Sequence, residues 1–502
     1  MTNEQENKEV SIFALGEAKK YNFLASVKVA AQEEKKIVKI LDTNCYIKIA
    51  DKQNDGDKTL ISGKLNVFVT YESTNKEIVF VKGEGDCSGV VESNDCPLVF
   101  EDIMANCKVD SYDENFVNIS ASIETQIAIV EHKEVGQDFG VESQLELNKI
   151  TFDVTKVLGS GLCSFEEQIE QSYSGDMQII KRQATCVVDN AYAGVDAVTI
   201  EGNIFVTLLL NNNDAFQELK VVLPYKQEAE CFGANPGSFV NANVFVGDIQ
   251  VGVKDGENES KTINVVVQAG ASVVSLAKDE INNVVDAYSV DYNTKLTLNT
   301  IQNNNVNYVG YSKEDVDFSI NIDGRIGVDE ILCVVVKTTD DFKSVFEDDQ
   351  LKVIYKLESV VYYRNNNDGT VQTFVDNCNN TITIKDEDGV NTISNLKFVV
   401  EGYKFRAGNT IDVSGKLYYE ELNLERTILS YVSAVEFEQE SKNDCGAAIK
   451  MHVVRQGETL FDIAKELKVS QETLVLQNED LLSGVVPGEK IYVYLPLSVN
   501  FE

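Results

Sequence analysis

Alternation of apolar and polar residues with period two dominates the chain. "KLNVFVTYES", "TIEGNIFVTLLL", "KTINVVVQAG" and "FVNISASIETQIAIV" each follow this pattern over long stretches. In an extended backbone, successive side chains point to opposite faces. Such a segment therefore has one apolar face, which it must bury against a second layer. The separators suit hairpins. "NDGD" at 54–57, "NNNDG" at 365–369 and "DEDGV" at 386–390 are rich in residues that tolerate the positive φ of tight turns. Only 5 prolines are present, so little interrupts a hydrogen-bonded ladder.

The strand runs recur. "TLISGKLNVFVTYEST" starts at Thr59 and "AVTIEGNIFVTLLLNN" at Ala197. An offset of 139 carries Ile40 onto Ile179, Ile61 onto Ile200, Gly63 onto Gly202, and Leu65, Val67 and Val69 onto Ile204, Val206 and Leu208. A further offset of 153 carries Ile179 to Leu332, Phe165 to Phe318, Val206 to Ser359 and Leu208 to Val361. A period of this length means tandem domains rather than a solenoid. Each repeat then holds roughly 110–130 residues, the size of a small domain. The expected fold class is mainly β: three tandem β-rich repeats, each a sandwich or partly open barrel, before a small terminal segment of different rhythm.

The expected organisation is a flexible N-terminus over 1–17, β domains over 18–135, 158–278 and 311–437, a linker over 438–449 and a terminal module over 450–497. The stretches between repeats are less regular, and "SLAKDEINNVVDAYSV" is a candidate short helix. The length of 502 residues accommodates about three to four domains.

Net charge is -37. Nucleic acid as a partner is excluded, since that requires clustered cations. No apolar run is long enough for a membrane-spanning helix, and no export signal is visible near the start. The 10 cysteines form no C-x-x-C pairs, and several sit in apolar runs, as Cys333 does in "EILCVVVK". Reduced, buried thiols are the expectation. Only His132 and His452 are present, which leaves little room for histidine-based metal or nucleophilic sites. "GEGDCSG" at 83–89 is not a phosphate loop. "DKQNDGD" at 51–57 lacks a calcium loop's closing Glu and reads as a hairpin. "DDFKSVFEDDQ" at 340–350 reads as a solvated acidic surface. No catalytic residue, cofactor or metal is assigned.

The rhythm changes near the end. "HVVRQ" reads as a short strand. Thr459 precedes "LFDIAKELK" with Asp462 three residues on, a capping-box spacing. Leu460, Ile463, Ala464 and Leu467 line one helix face. Ser470 is placed to cap a second helix, "QETLVLQN", and "KIYVYLP" closes as a strand. This βααβ segment resembles a LysM domain at Gly457-Glu458-Thr459-Leu460, Ile463-Ala464, Leu474, Asn478 and Pro487-Gly488. The resemblance implies a shallow groove for N-acetylated glycan between Gly457, Glu458, Thr459, Leu460 and Phe461 on one side and Asn478, Leu482, Val485 and Val486 on the other. Phe461, Leu482 and Val486 are the expected apolar rim. Leu460, Ile463 and Leu474 read as core, and Gly457 as turn geometry.

The repeats in turn resemble the spore-coat-associated SPOCS domain. "KIVKILDTNCYIKI" with "LISGKLNVFVTYEST", and "GDMQIIKRQATCVV" with "VTIEGNIFVTLLLNN", carry the likeness. The third repeat lacks the I-x-G. The combination implies a non-enzymatic coat-assembly protein in the mother-cell cytoplasm, at the forespore surface and spore coat. Its implied partners are the SpoIVA-like coat ATPase of the basement layer and other coat proteins. The alternative is a peptidoglycan-binding protein whose repeats are spacers.

Overall fold

The computed structural model describes residues 10–494 except 94–95, 136–138, 140–143, 175–176, 213–214, 256–259, 323–326, 348–349, 385–388, 407–409 and 441–448. The first repeat contains β1 (Val10–Leu15), β2 (Lys19–Ala30), β3 (Ile37–Asp55), β4 (Lys58–Ser73), β5 (Ile78–Glu92), β6 (Leu98–Tyr112) and β7 (Phe116–Val135). The second contains β8 (Glu146–Ser174), β9 (Gln178–Ala193), β10 (Ala197–Asn212), β11 (Ala215–Glu230), β12 (Phe239–Asp255) and β13 (Ser260–Tyr288). The third contains β14 (Tyr292–Asn321), β15 (Val328–Glu347), β16 (Gln350–Asn365), β17 (Val371–Ile384), β18 (Thr392–Arg406) and β19 (Thr410–Glu440). The terminal module holds β20 (Ile449–Val453), α1 (Leu460–Leu467), α2 (Gln471–Gln477) and β21 (Lys490–Tyr494).

Every repeat has the same plan. A meander forms one sheet: β3-β4-β5, then β9-β10-β11, then β15-β16-β17. The first strand and the last two form the other sheet, with the last strand central: β2-β7-β6, β8-β13-β12 and β14-β19-β18. The two sheets also meet at their edges, β3 beside β6, β9 beside β12 and β15 beside β18, so each repeat is a partly open barrel. Alternate residues fill it. Leu65, Val67, Val69 and Tyr71 of β4 meet Val117, Ile119, Ala121 and Ile123 of β7 in one core.

The expected turn at 54–57 is a tight hairpin between Asp55 and Lys58, with Gly56 at φ +64°. The I-x-G of the first two repeats also has a steric cause. A Cβ at Gly202 would stand 2.1 Å from the Val187 carbonyl oxygen, and one at Gly63 would stand 2.7 Å from that of Lys48. Two expectations fail. Val10–Leu15, inside the segment read as flexible, pairs with β7. "SLAKDEINNVVDAYSV" is not helical but the end of β13, in a ladder with β8 that runs to Tyr288. There Ile281, Val284 and Ala287 are buried against β19 residues Leu429, Val432 and Val435.

A β-bulge recurs at one place in all three repeats. Leu41 is skipped between the pairs Ile40–Tyr71 and Asp42–Thr70. Ile180 is skipped between Ile179–Leu210 and Lys181–Leu209, and Leu332 between Ile331–Tyr363 and Cys333–Tyr362. This register places Ile179 opposite Ile331 in the repeat alignment, one residue from the Leu332 that the constant offset selects. Leu41, Ile180 and Leu332 converge in a single apolar cluster. Equivalent residues touch each other: Asp42 pairs with Lys181, and Asn44 Nδ2 donates to Gln183 Oε1 at 2.8 Å. Contacts between equivalent positions mark a pseudo-threefold axis. The ring closes around it, with β5 against β9, β11 against β15 and β17 against β3.

The Asp42–Lys181 pair is buried and receives a third contact, Tyr362 Oη donating to Asp42 Oδ2 at 2.7 Å. Removing one partner of such a pair leaves an uncompensated charge. Lys181→Met should therefore cost about 3–5 kcal/mol in urea unfolding, while Asp42→Leu with Lys181→Met should recover most of that loss.

Glu420 on β19 joins the second and third repeats. It accepts from Ser394 Oγ at 2.5 Å, Asn395 Nδ2 at 3.0 Å and Asn241 Nδ2 at 3.1 Å. Burial, with the charge of Glu101 adding to it, pushes its carboxyl up to about 8, against the opposing pull of hydrogen bonds from Ser394, Asn395 and Tyr311. The native state thus holds a proton that an unfolded chain releases above the ordinary carboxyl range. Stability should fall as pH rises from about 5 through about 8, and Glu420→Gln should flatten that slope in denaturant titrations across the window.

Candidate functional site

The terminal module is built as its caps dictate. Asp462 N donates to Thr459 Oγ1 at 3.2 Å, and Thr459 N donates to Asp462 Oδ2 at 2.9 Å, so a reciprocal capping box starts α1. Ser470 Oγ accepts from Thr473 N at 3.1 Å to start α2. β20 and β21 pair antiparallel beneath both helices. The first strand begins earlier than "HVVRQ" suggests, at Ile449.

Gly457 has φ +85°, a turn conformation that a side chain would strain. Glu458 takes the Arg455 amide at 2.5 Å and contacts His452 Nε2 at 2.9 Å. The Arg455 backbone donor, with His452 second, holds the Glu458 carboxyl below its ordinary range. His452, Glu458 and Glu466 gather three potential metal-ligand atoms, but Arg455 Nη1 stands 3.5 Å from both carboxylates and already supplies positive charge. Thr459 is exposed, and Leu460 is half-buried against the module's core. Asn478 is occupied structurally: its Nδ2 donates to Leu474 O at 3.0 Å and Tyr492 O at 2.8 Å, and its Oδ1 accepts from Tyr492 N at 3.1 Å. It ties α2 to β21. Leu482 is 77% exposed and Val486 58%, while Val485 packs partly inward.

Phe461 departs from its expected rim role. It is 4% exposed, with its ring edge-on to Tyr288 at 5.1 Å. Tyr288 ends β13, so this contact seats the module on the second repeat. Tyr288 Oη donates to Val469 O at 2.7 Å, and Lys465 Nζ reaches Asp286 Oδ2 at 2.6 Å. Gln471 Nε2 reaches Glu146 at 3.3 Å. The module expected beyond a linker is docked on the second repeat. The linker itself falls mostly on 441–448, outside the described residues. The open side of the module carries Gly457, Thr459, Leu482 and Val486.

An apolar surface that sequence reasoning missed lies on the outer face of the small sheet. Ile449, Met451 and Val453 of β20 pair with Tyr494, Tyr492 and Lys490 of β21, and all five apolar side chains are exposed. In "IKMHV" the residue turned inward is His452, held by Glu458, so the apolar residues face outward.

The fold and this module define a tandem β-barrel protein ending in a small βααβ binding domain. Residues 36–124 match the family model described as SipL, SPOCS domain, and residues 452–493 match the LysM domain. No curated protein and no solved structure matches the chain. The chain thus carries a segment matching the SPOCS domain followed by a C-terminal segment matching the LysM domain. The SPOCS match lies within the first repeat, whose strand plan the other two share. No helix among the described residues is long and apolar enough to cross a membrane.

The Asp286–Lys465 contact supplies a direct reading of docking. A zero-length carbodiimide should couple these two residues in the full chain. Tyr288→Ala should abolish the cross-link, and Tyr288→Phe, which keeps the ring, should retain it, as read by peptide mass spectrometry.

Proposed function

We propose that this chain is a non-enzymatic assembly protein of the spore coat. On this reading it works in the mother-cell cytoplasm, at the forespore surface. It ties the coat's basement-layer ATPase to that surface through its LysM module and β repeats, and recruits further coat proteins. The supporting observation is the combination of a SPOCS domain with a LysM domain that is seated on the repeats by Tyr288 and Phe461. A seated module presents its open side in one direction relative to the ring, which suits a structural tie. Preorganisation of this kind reduces the ordering cost of binding.

A second reading, binding of peptidoglycan or another N-acetylated glycan with the repeats as spacers, is favoured by the LysM match at 452–493 and by the exposed apolar side chains Leu482 and Val486 on that module. Exposed apolar side chains suit the methyls of acetamido groups.

Immunoprecipitation from sporulating cells separates the two. The full chain should recover the coat ATPase, and Leu482→Ser with Val486→Ser should lose most of it while the melting curve stays unchanged. Undiminished recovery by a chain ending at Lys442 would move the partner site onto the repeats. Retention on insoluble peptidoglycan without ATPase recovery would favour the glycan reading.

A further inference from the structure

The third barrel is less closed than the other two. Each barrel has a seam where its first strand meets the last strand of its meander. In the first two repeats the seam is packed. A Cβ at Gly83 of β5 would stand 2.6 Å from Val29 Cγ2 of β2, and one at Gly161 of β8 would stand 2.0 Å from the Glu230 carbonyl oxygen of β11. In the third repeat, β14 and β17 touch only briefly. β17 pairs with β16 on one side and with no strand among the described residues on the other.

The side chains of β17 show the same opening. Through the repeat offset of 153, Tyr355 and Leu357 of β16 stand where Gly202 and Ile204 stand in β10. Their cross-strand partners Asn380 and Cys378 therefore take the places of Tyr225 and Leu223. Tyr225 and Leu223 are buried, whereas Asn380 and Cys378 are half-buried. The ring has moved from the edge strand to the central one, where Tyr355 is 2% exposed. β17 is thereby released from filling the core and is left polar.

A strand edge without a neighbour offers backbone donors and acceptors to another chain, and such edges are ordinarily guarded by charges or Pro. The equivalent strands are guarded. β5 carries Lys82, Glu84 and Asp86, and β11 carries Pro224, Lys226 and Glu228. β17 has 14 residues, a single charge at Asp376 and no Pro. Its last residues, "TITI" at 381–384, are all β-branched and favour extended pairing.

We propose that β17 is the edge on which a second copy of this chain pairs. Two β17 strands lie antiparallel about a twofold axis at Cys378 and join two third-repeat meanders into one continuous sheet. Charge selects a second copy as the occupant. In this register Asp376 faces Asn380 of the second copy, and Asn377 faces its Asn379. The single charge thus meets an amide and never its own counterpart. The net charge of -37 opposes self-contact elsewhere on the chain, and this nearly neutral edge is where that opposition is weakest. A twofold contact consumes both edges and stops at two copies.

The test is sedimentation of the full reduced chain over a concentration series, which should show a monomer–dimer equilibrium. Asn377 and Asn379 are exposed, so lysines there should leave the melting curve unchanged. Asn377→Lys with Asn379→Lys sets like charges opposite each other and should raise the dimer dissociation constant about tenfold or more. Asn377→Glu with Asn379→Glu should do the same, and mixing the two variants should restore a dimer with one chain of each. A short bismaleimide added to the unmutated chain gives a reading that needs no edge variant to fold. It should link Cys378 to Cys378 of the second copy, and Cys378→Ser should remove that link. A monomer at every concentration, a dimer that both variant pairs leave intact, a mixture that stays monomeric, or a link between copies through another cysteine would each overturn the proposal.

Discussion

One extra residue in the first meander strand of each repeat, β3, β9 or β15, is the feature on which the ring depends. A bulge turns its side chain out of the regular ladder and frees a carbonyl that must find a donor elsewhere. Leu41, Ile180 and Leu332 are these residues, and their side chains converge on the axis. Thr373 supplies the donor for Leu41, Thr70 for Ile180 at 2.8 Å and Tyr403 for Leu332 at 3.2 Å. Two of these three bonds cross between repeats. The next position along carries Asp42, Lys181 and Cys333, where identical residues would set three like charges together. The chain instead places one anion, one cation and one neutral group. A buried ion pair contributes little net stability. Here it makes the three repeats non-interchangeable at the axis they share.

Beyond the barrels, the first and last strands of each repeat run on as paired ribbons that lean on one another. Asn305 Nδ2 donates to Asp153 O at 3.0 Å, Val306 N to Thr155 Oγ1 at 2.8 Å and Lys133 Nζ to Gln302 O at 2.8 Å. The LysM module sits where the β8–β13 ribbon ends, so ring, ribbons and module follow one line of support. Phe461 belongs to that support rather than to the rim. Its burial leaves Leu482 and Val486 as the exposed apolar side chains among the expected rim residues.

The strand content and the repeat were legible because alternation is a local signal, and the central meander strands β4, β10 and β16 are each 16 residues long. The bulges were not legible. A single skipped residue leaves no compositional mark, and it shifts Ile179 from Leu332 to Ile331. The false helix at "SLAKDEINNVVDAYSV" arose because its buried apolar residues Ile281, Val284 and Ala287 recur every third position, as on a helix face, across a register shift after Val284, and their burying surface is supplied by a different repeat. Phe461 was misassigned for the same reason: its cover, Tyr288, is remote in sequence. The caps at Thr459 and Ser470 were readable because each is a contact within three residues. In "IKMHV" the alternation was legible but its polarity was inverted, since a buried His–Glu pair occupies the face that apolar residues usually take.

Three barrels in one chain carry a single LysM module, and this sets a valency. A symmetric trimer of one-repeat chains would present three identical modules, and multivalent attachment would follow from one particle. The fused form presents one. On the proposed function, strong attachment to an extended surface would then come from neighbouring molecules held side by side, so that occupancy of the surface, rather than the affinity of any single chain, would decide whether a layer persists.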